Sequence, residues 1–309
     1  MASILITGGN GFVGSHLADA LSARGHSITL ADLTFDWRTA DSKARKVVCD
    51  VLDYESLRDA SKSTEVIVHL AGISRVEDGE KDPQECLRVN LGGTRNVVRV
   101  ASERRKGLIF ASSREVYGNA DAFPIDEESP KRPVSVYAQS KLASEELLAE
   151  AGRTGRLGYV IATLSNVYGS TRDRPERVVP TFVRQALSGE RLTIHGGSQT
   201  ADFTFIDDVA GALARLAESV HSIAGESYNI VTGHSHSILE LAEMVKRLTH
   251  TESEFDFQDE KNIYAKEFSA DPSKARAYLG GKVRLRGLED GLGLYLQRVN
   301  ESRLRSPNG

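Results

Sequence analysis

Three glycines, Gly8, Gly11 and Gly14, stand at G-x-x-G-x-x-G spacing in a chain of 309 residues, directly after an apolar run at 4–7. A strand that ends in such a turn and continues as a helix offers backbone N–H groups and the positive end of the helix dipole to a pyrophosphate. The spacing alone is cheap. Gly152, Gly155 and Gly158 repeat it, but between a predicted helix and a predicted strand, where no helix N-terminus is free, and they read as a loop. Asp32 closes the next apolar run. At that distance past the glycines a carboxylate accepts from both hydroxyls of an adenosine ribose and repels a 2′-phosphate, which favours NAD over NADP. Arg38, close by, weighs the other way, and an aspartate that only caps a turn is the alternative reading. Asp50, after the third apolar run, either meets the adenine amine or satisfies backbone donors at a strand end.

Tyr137 and Lys141 lie four apart at the head of a predicted helix, so both side chains share one face. A free tyrosine titrates at about 10. An adjacent ammonium, helped by the positive charge of an oxidised nicotinamide, lowers the cost of the phenolate and makes it a base near neutrality. Tyr278 and Lys282 have the same spacing, with Gly280 and Gly281 between them to interrupt a helix. Ser112 and Ser113 end a predicted strand, at the edge where open α/β sheets present ligand-contacting side chains.

The elements that must position these groups are short apolar runs at 4–7, 27–31, 46–49, 66–70, 108–112 and 159–164, with helical stretches at 12–24, 83–105 and 137–151. Such alternation predicts a Rossmann-type doubly wound parallel sheet with helices on both faces. Regularity breaks near Asn166, and a stretch rich in Gly, Arg and Pro at 169–180 opens a smaller substrate-binding lobe. The expected division is an NAD-binding domain over 1–165 with a return near 203–225, and a lobe from 166–202 and 226–309. With 40% hydrophobic and 27% charged residues and a net charge of −4, composition gives no electrostatic pull toward nucleic acid or an anionic membrane. Two cysteines, Cys49 and Cys86, make neither a disulfide framework nor a metal site. The chain shows no bilayer-spanning run and no signal-peptide apolar region, so the expectation is a cytoplasmic protein without a nucleic-acid or membrane partner.

Six motifs occur in series: Thr-Gly-Gly-Asn-Gly-Phe-Val-Gly at 7–14, His-Leu-Ala-Gly at 69–72, Val-Asn-Leu-Gly-Gly-Thr at 89–94, Ser-Val-Tyr-Ala-Gln-Ser-Lys at 135–141, Ser-Asn-Val-Tyr-Gly at 165–169 and Asp-Phe-Thr-Phe-Ile-Asp-Asp-Val-Ala at 202–210. Over most of its length the chain thereby resembles the extended short-chain dehydrogenase/reductases, in their NAD-dependent nucleotide-sugar epimerase/dehydratase branch. The resemblance implies that Tyr137 is the catalytic base, that Lys141 holds the phenolate and the nicotinamide ribose, and that Ser113 bonds the reacting hydroxyl of a nucleotide sugar. It implies that Phe12, Val13, Val51, Leu70, Ala71 and Gly72 line the cofactor and that Asn90 and Ser165 approach it. The other reading of Asn90 is a helix residue bonded to a nearby loop. A homodimer paired through helices at 84–104 and 137–151 is also implied.

The family's reactions begin with oxidation of a sugar hydroxyl to a ketone and differ in the fate of that ketone. Its 4,6-dehydratases carry Thr-Asp-Glu where this chain reads Ser113, Arg114 and Glu115. A guanidinium keeps its proton at neutral pH, so the acid that expels water is missing. Glu115 is either a second base, as in the family's decarboxylases, or the partner that neutralises Arg114. The expected reaction is 4-epimerisation through a transient 4-keto sugar, with decarboxylation or dehydration as the alternative. A catalytically silent NAD-sensing module is the competing class, and it leaves the poised tyrosine unexplained.

The substrate side departs from the family. The arginine that precedes Asp-Phe-Thr is Ala201, the one before Leu-Ser-Asn is Thr163, and another reads Lys261. Asn166 is expected to contact phosphate or sugar. His195 stands where the family stacks a residue on the base, or is merely exposed. Arg172, Arg174 and Arg177 either supply the missing charge or form a solvated loop.

Overall fold

Alternation along the first strand assigns the layers. In the computed structural model, which describes residues 1–40, 42–259 and 265–305, β1 (Ser3–Thr7) turns Ile4 and Ile6 to one face and Leu5 to the other. The glycine turn leads into α1 (Phe12–Ala23), then β2 (Ser27–Asp32), β3 (Arg45–Val48), α2 (Tyr54–Ala60), β4 (Val66–His69), α3 (Val76–Lys81) and α4 (Pro83–Leu87). A wide π-type turn over Arg88–Gly92 joins α4 to α5 (Gly93–Glu103), so the single helix expected at 83–105 is two α-helices with Asn90 in the wide turn between them. The regular series closes with β5 (Gly107–Ser113), α6 (Val136–Arg153) and β6 (Gly158–Leu164).

A second group of elements follows: β7 (Asn166–Tyr168), α7 (Val178–Ser188), β8 (Leu192–His195) and β9 (Thr200–Phe205). The chain then returns through α8 (Ile206–Ser219) and β10 (Ser227–Ile230), and ends with β11 (Ser235–Ser237), α9 (Ile238–Thr249), β12 (Phe255–Gln258), α10 (Ser273–Leu279) and α11 (Leu288–Arg305). The return runs further than the 203–225 read from sequence. β10 pairs in parallel with β6, and Ala275 and Leu279 of α10 enter the first core. The boundary at 226 therefore moves, because β6 would otherwise present an open edge.

Seven parallel strands stand in the order β10-β6-β5-β4-β1-β2-β3. The chain winds outward from β1 in one direction through β2 and β3, then in the other from β4. A crevice opens beyond the carboxyl ends of β1 and β4, where such sheets bind ligands. On one face α1 and α8 pack Leu17, Leu21, Val209 and Leu213 against Ile4, Ile6 and Val68; on the other, Leu57, Val97 and Leu148 meet Leu5, Ile67 and Phe110. The second core gathers Tyr168, Phe182, Phe203, Leu241 and Leu292 around a three-stranded sheet of β11, β9 and β7.

One carboxylate fastens the two cores together. Asp202 of β9 is fully buried, and accepts from the amides of Thr232 at 3.0 Å and Gly233 at 2.8 Å and from the Thr232 hydroxyl at 2.8 Å, in the loop that follows β10. Burial raises its pKa and these donors oppose the rise. Asp202→Ala leaves the Thr232 and Gly233 amides without that acceptor. It is expected to cost about 3 kcal/mol, measured as a fall in the urea midpoint; a loss below about 1 kcal/mol, no more than one ordinary hydrogen bond, contradicts the fastening role.

Candidate active site

Gly8 sits in the left-handed region at φ +70°, and a Cβ there would lie 2.7 Å from the Ala71 nitrogen; one on Gly14 would collide with the Gly8 carbonyl. Helix, turn and β4 loop thus close on one another only because the side chains are absent. α1 begins after Gly11 with no side-chain cap and no acidic residue in its first turn. The first-turn amides of Phe12 and Val13 point from an uncapped helix end, which fits the pyrophosphate of a dinucleotide. Asp32 ends β2 and accepts from the amides of Asn10 and Leu33, each at 2.8 Å. It therefore caps the glycine turn, and each oxygen keeps a second lone pair. Burial raises its pKa against those two bonds. Arg38 is occupied by the Asp36 carboxylate and by the Arg172 carbonyl at 3.1 Å. Asp50 accepts from the Leu52 amide at 2.9 Å, and Val51 is buried against Gly93.

On the opposite wall Leu70 hangs from the Thr7 carbonyl at 3.1 Å, and Ala71 from the Thr7 hydroxyl at 3.4 Å. Asn90 is 3% exposed; its carbonyl accepts from the Ile73 amide at 2.8 Å and its amide donates to the Ile73 carbonyl at 3.1 Å and to Ser140 at 2.8 Å. Those bonds pin the loop after β4. Ser165 likewise gives its hydroxyl to the Asp202 carbonyl at 2.6 Å.

At the other end of the crevice Ser135 caps α6 by accepting from the Ala138 amide at 3.1 Å, and Tyr137 and Lys141 follow on one buried face. Burial raises the Tyr137 pKa, and a hydrogen bond with Ser113 works against that rise. Lys141 donates to the Ala111 carbonyl at 2.9 Å and stands 4.9 Å from the centre of the Phe110 ring. Burial lowers its pKa to about 8, opposed by Glu145. The ammonium expected beside the phenol is thus bonded from helix to strand. Glu145, one turn beyond Lys141 and 4% exposed, receives the Ser112 hydroxyl and the Lys131 ammonium. Sequence reasoning missed both partners; the four-residue step from Lys141 was a signal for Glu145, and Lys131 had none. The two decoys separate cleanly: α6 ends at Arg153 before Gly155 and Gly158, and α10 ends at Leu279 before Gly280 at φ +58°.

Ser113, Glu115, Tyr137, Lys141, Asn166 and His195 line one cavity of about 640 Å³, together with Val13 and Leu70 from the dinucleotide side. Lys261 lies outside the described residues. Glu115 stands 2.9 Å from Arg114, the contact a neutralising partner makes, and Arg114 Nε also donates to Asn166 at 2.8 Å. Among the three loop arginines, Arg172 pairs with Asp19 at 2.6 Å and Arg174 with Asp78 at 3.2 Å, while Arg177 lines the cavity. Arg75, which the sequence did not single out, lines it too and pairs with Glu77 at 3.3 Å and Glu176 at 3.4 Å. His195 is exposed at the end of β8, and Ala201 is buried opposite His236.

Beside Arg177, at 3.6 Å, lies Asp173, whose Oδ2 has no partner among the described residues. Burial pushes its pKa up to about 6, against the pull of Arg177. Below about pH 4 the group is protonated folded or unfolded; as pH rises to about 6 the unfolded chain gives up the proton first, and stability falls by about 3 kcal/mol. Asp173→Asn is therefore expected to be more stable than the parent at pH 7.5, with the advantage shrinking toward pH 4.5 in urea denaturation. A difference independent of pH would overturn this assignment.

A family model described as the NAD dependent epimerase/dehydratase family matches residues 4–231. UDP-N-acetyl-alpha-D-glucosaminuronate decarboxylase of Bacillus cytotoxicus is 32% identical over 87% of this chain and 87% of its own. The structure of UDP-glucose 4-epimerase from Thermotoga maritima with UDP-glucose aligns at a TM-score of 0.90 and 26% identity, covering 97% of this chain and 99% of that one. UDP-glucuronic acid 4-epimerase from Bacillus cereus, in complex with UDP-glucuronic acid and NAD, aligns at 0.88 and 27% identity, again over 97% and 99%.

Proposed function

We propose that this chain, which belongs to the NAD dependent epimerase/dehydratase family, is a nucleotide-sugar 4-epimerase. The observation that carries the reading is the convergence of Ser113, Tyr137 and Lys141 on one cavity in which Arg114 replaces the proton-donating acid. Gly8, Gly11 and Gly14 with the open end of α1 would hold the NAD pyrophosphate, Asp32 the adenosine ribose and Lys141 the nicotinamide ribose. When bound, NAD supplies a two-electron acceptor that is regenerated within each turnover.

The chain's own groups move the proton. Ser113, hydrogen-bonded to Tyr137, orients the sugar's 4-hydroxyl toward the phenol. Tyr137 Oη takes that proton as phenolate, with the Lys141 charge one turn away to lower its cost, and gives it back after the 4-keto sugar has turned over. Return of the carbon-bound hydrogen, with its electron pair, to the other face of C4 would give the epimer. Two features weigh against the other branches: a guanidinium does not donate its proton to a departing hydroxide, and Glu115, tied to Arg114, is not a poised second base.

Tyr137→Phe is expected to keep NAD and lose turnover by about 10²-fold or more, read by NMR of products after incubation with a panel of nucleoside diphosphate sugars. Unchanged activity in that variant sinks the mechanism, and loss of water or carbon dioxide from the parent's substrates moves the assignment to another branch. Asp32→Ala is expected to weaken NAD and relax discrimination against NADP, measured by titration of cofactor-stripped protein. A parent that already prefers NADP refutes the ribose role.

A further inference from the structure

Arg114 is held unlike any surface arginine. Its Nε donates to Asn166 Oδ1 at 2.8 Å, its Nη2 lies 2.9 Å from Glu115 Oε1, and its guanidinium carbon stands 5.3 Å from the centre of the Phe268 ring. Glu115 is fixed in turn by the Ala265 amide at 3.4 Å. Only 9% of the Arg114 side chain is exposed. Two nitrogens are thus committed, and they set the plane of a rigid group. The third, Nη1, is buried without an acceptor among the described residues, on a residue that lines the cavity beside Ser113 and Tyr137. An unmatched buried donor is costly, more so on a charged group, and a ligand oxygen recovers that cost.

We propose that Arg114 Nη1 recognises a carboxylate on the sugar carbon next to the reacting one, so that the site takes nucleoside diphosphate uronic acids in preference to neutral hexoses. The proposal deepens the nucleotide-sugar reading above and rests on it. Position argues for the neighbouring carbon: Arg114 directly follows Ser113, which bonds the phenol, so its reach begins beside the reacting hydroxyl. In a hexopyranose the carbons flanking C4 are C3, which carries a hydroxyl, and C5, which carries the one carbon that exists as a carboxylate. Charge argues for the acid over the alcohol. An ionised acceptor makes a bond about twice as strong as a neutral one, and a hydroxyl does not require a desolvated cation. Glu115 balances the guanidinium yet occupies Nη2 alone, leaving Nη1 for the ligand.

The same contact bears on the reaction. A 4-keto uronic acid is a β-keto acid, which can lose C6 as carbon dioxide while a proton takes its place at C5. That loss draws the carboxylate's electron pair into the ring. A guanidinium bond stabilises the charge on the carboxylate and opposes the step, so Arg114 favours an epimer of unchanged mass.

Calorimetry on NAD-loaded Tyr137→Phe separates recognition from turnover. UDP-glucuronic acid is expected to bind about a hundredfold more tightly than UDP-glucose, and Arg114→Gln to bring that ratio close to one. Arg114→Gln/Glu115→Gln, which removes both charges together, tests the same ratio without leaving Glu115 unpaired, and melting curves establish that each variant is folded. Equal affinities in the parent background, or a preference that survives in both folded variants, overturn the proposal. In the wild-type chain, uronate that binds selectively but is not turned over, or is turned over with release of carbon dioxide, defeats the epimerase reading and still supports the Arg114 assignment.

Discussion

A buried cation organises this site. Lys141 is enclosed by α6 and β5, with one backbone carbonyl and the face of Phe110 as its nearest company, and burial, opposed by Glu145, brings its pKa down to about 8. Burial disfavours the charged form of an ammonium in that position, and negative potential from the protein offsets that cost. Glu145, one helical turn away, supplies it, and is itself held by Ser112 and Lys131. The arrangement needs a long helix to carry Tyr137, Lys141 and Glu145 in succession and a strand end to bring Ala111, Ser112 and Ser113 against it. Both follow from the parallel winding, in which β5 and α6 are consecutive elements.

That winding was legible because local pattern and tertiary demand agree. Strands buried on both faces read as short apolar runs, and those at 27–31, 66–70 and 159–164 differ from the observed elements by a residue or so at either end. What escaped was set elsewhere. The Leu288–Arg305 helix carries Gly291 and Gly293, which weaken any helical signal, but Gly291 lets the helix close on the Tyr168 ring, and Tyr168 donates to the Leu288 carbonyl at 3.1 Å. The wide turn at Arg88–Gly92 leaves no periodicity break in the sequence, and β10 was lost because a four-residue strand is recognised only by the sheet edge it covers.

The site divides along the same line. Residues whose placement follows from their own element, such as the glycines at the head of α1 and the Tyr137–Lys141 pair, could be located from the sequence alone. Residues whose role depends on a distant partner could not. Asn90 is spent on Ile73 and Ser140, Ser165 on Asp202, and Arg172 on Asp19, bonds that span 17, 50, 37 and 153 positions of the chain. Spacing cannot report such pairings, because the fold decides which surfaces meet.

The loss of arginines from their expected positions has a counterpart in the cavity itself. Arg75, Arg114 and Arg177 line it, and each already faces a carboxylate: Glu77 and Glu176, Glu115, and Asp173. The cavity therefore does not store net positive charge in advance of its ligand. Charge becomes available when a carboxylate is displaced or protonated, and Asp173 is the group nearest that point, since burial has raised its pKa to about 6. An anion placed beside Arg177 raises it further, by adding like charge. Once Asp173 holds a proton, the pair changes from neutral to cationic, and the Arg177 charge is no longer balanced by its nearest carboxylate.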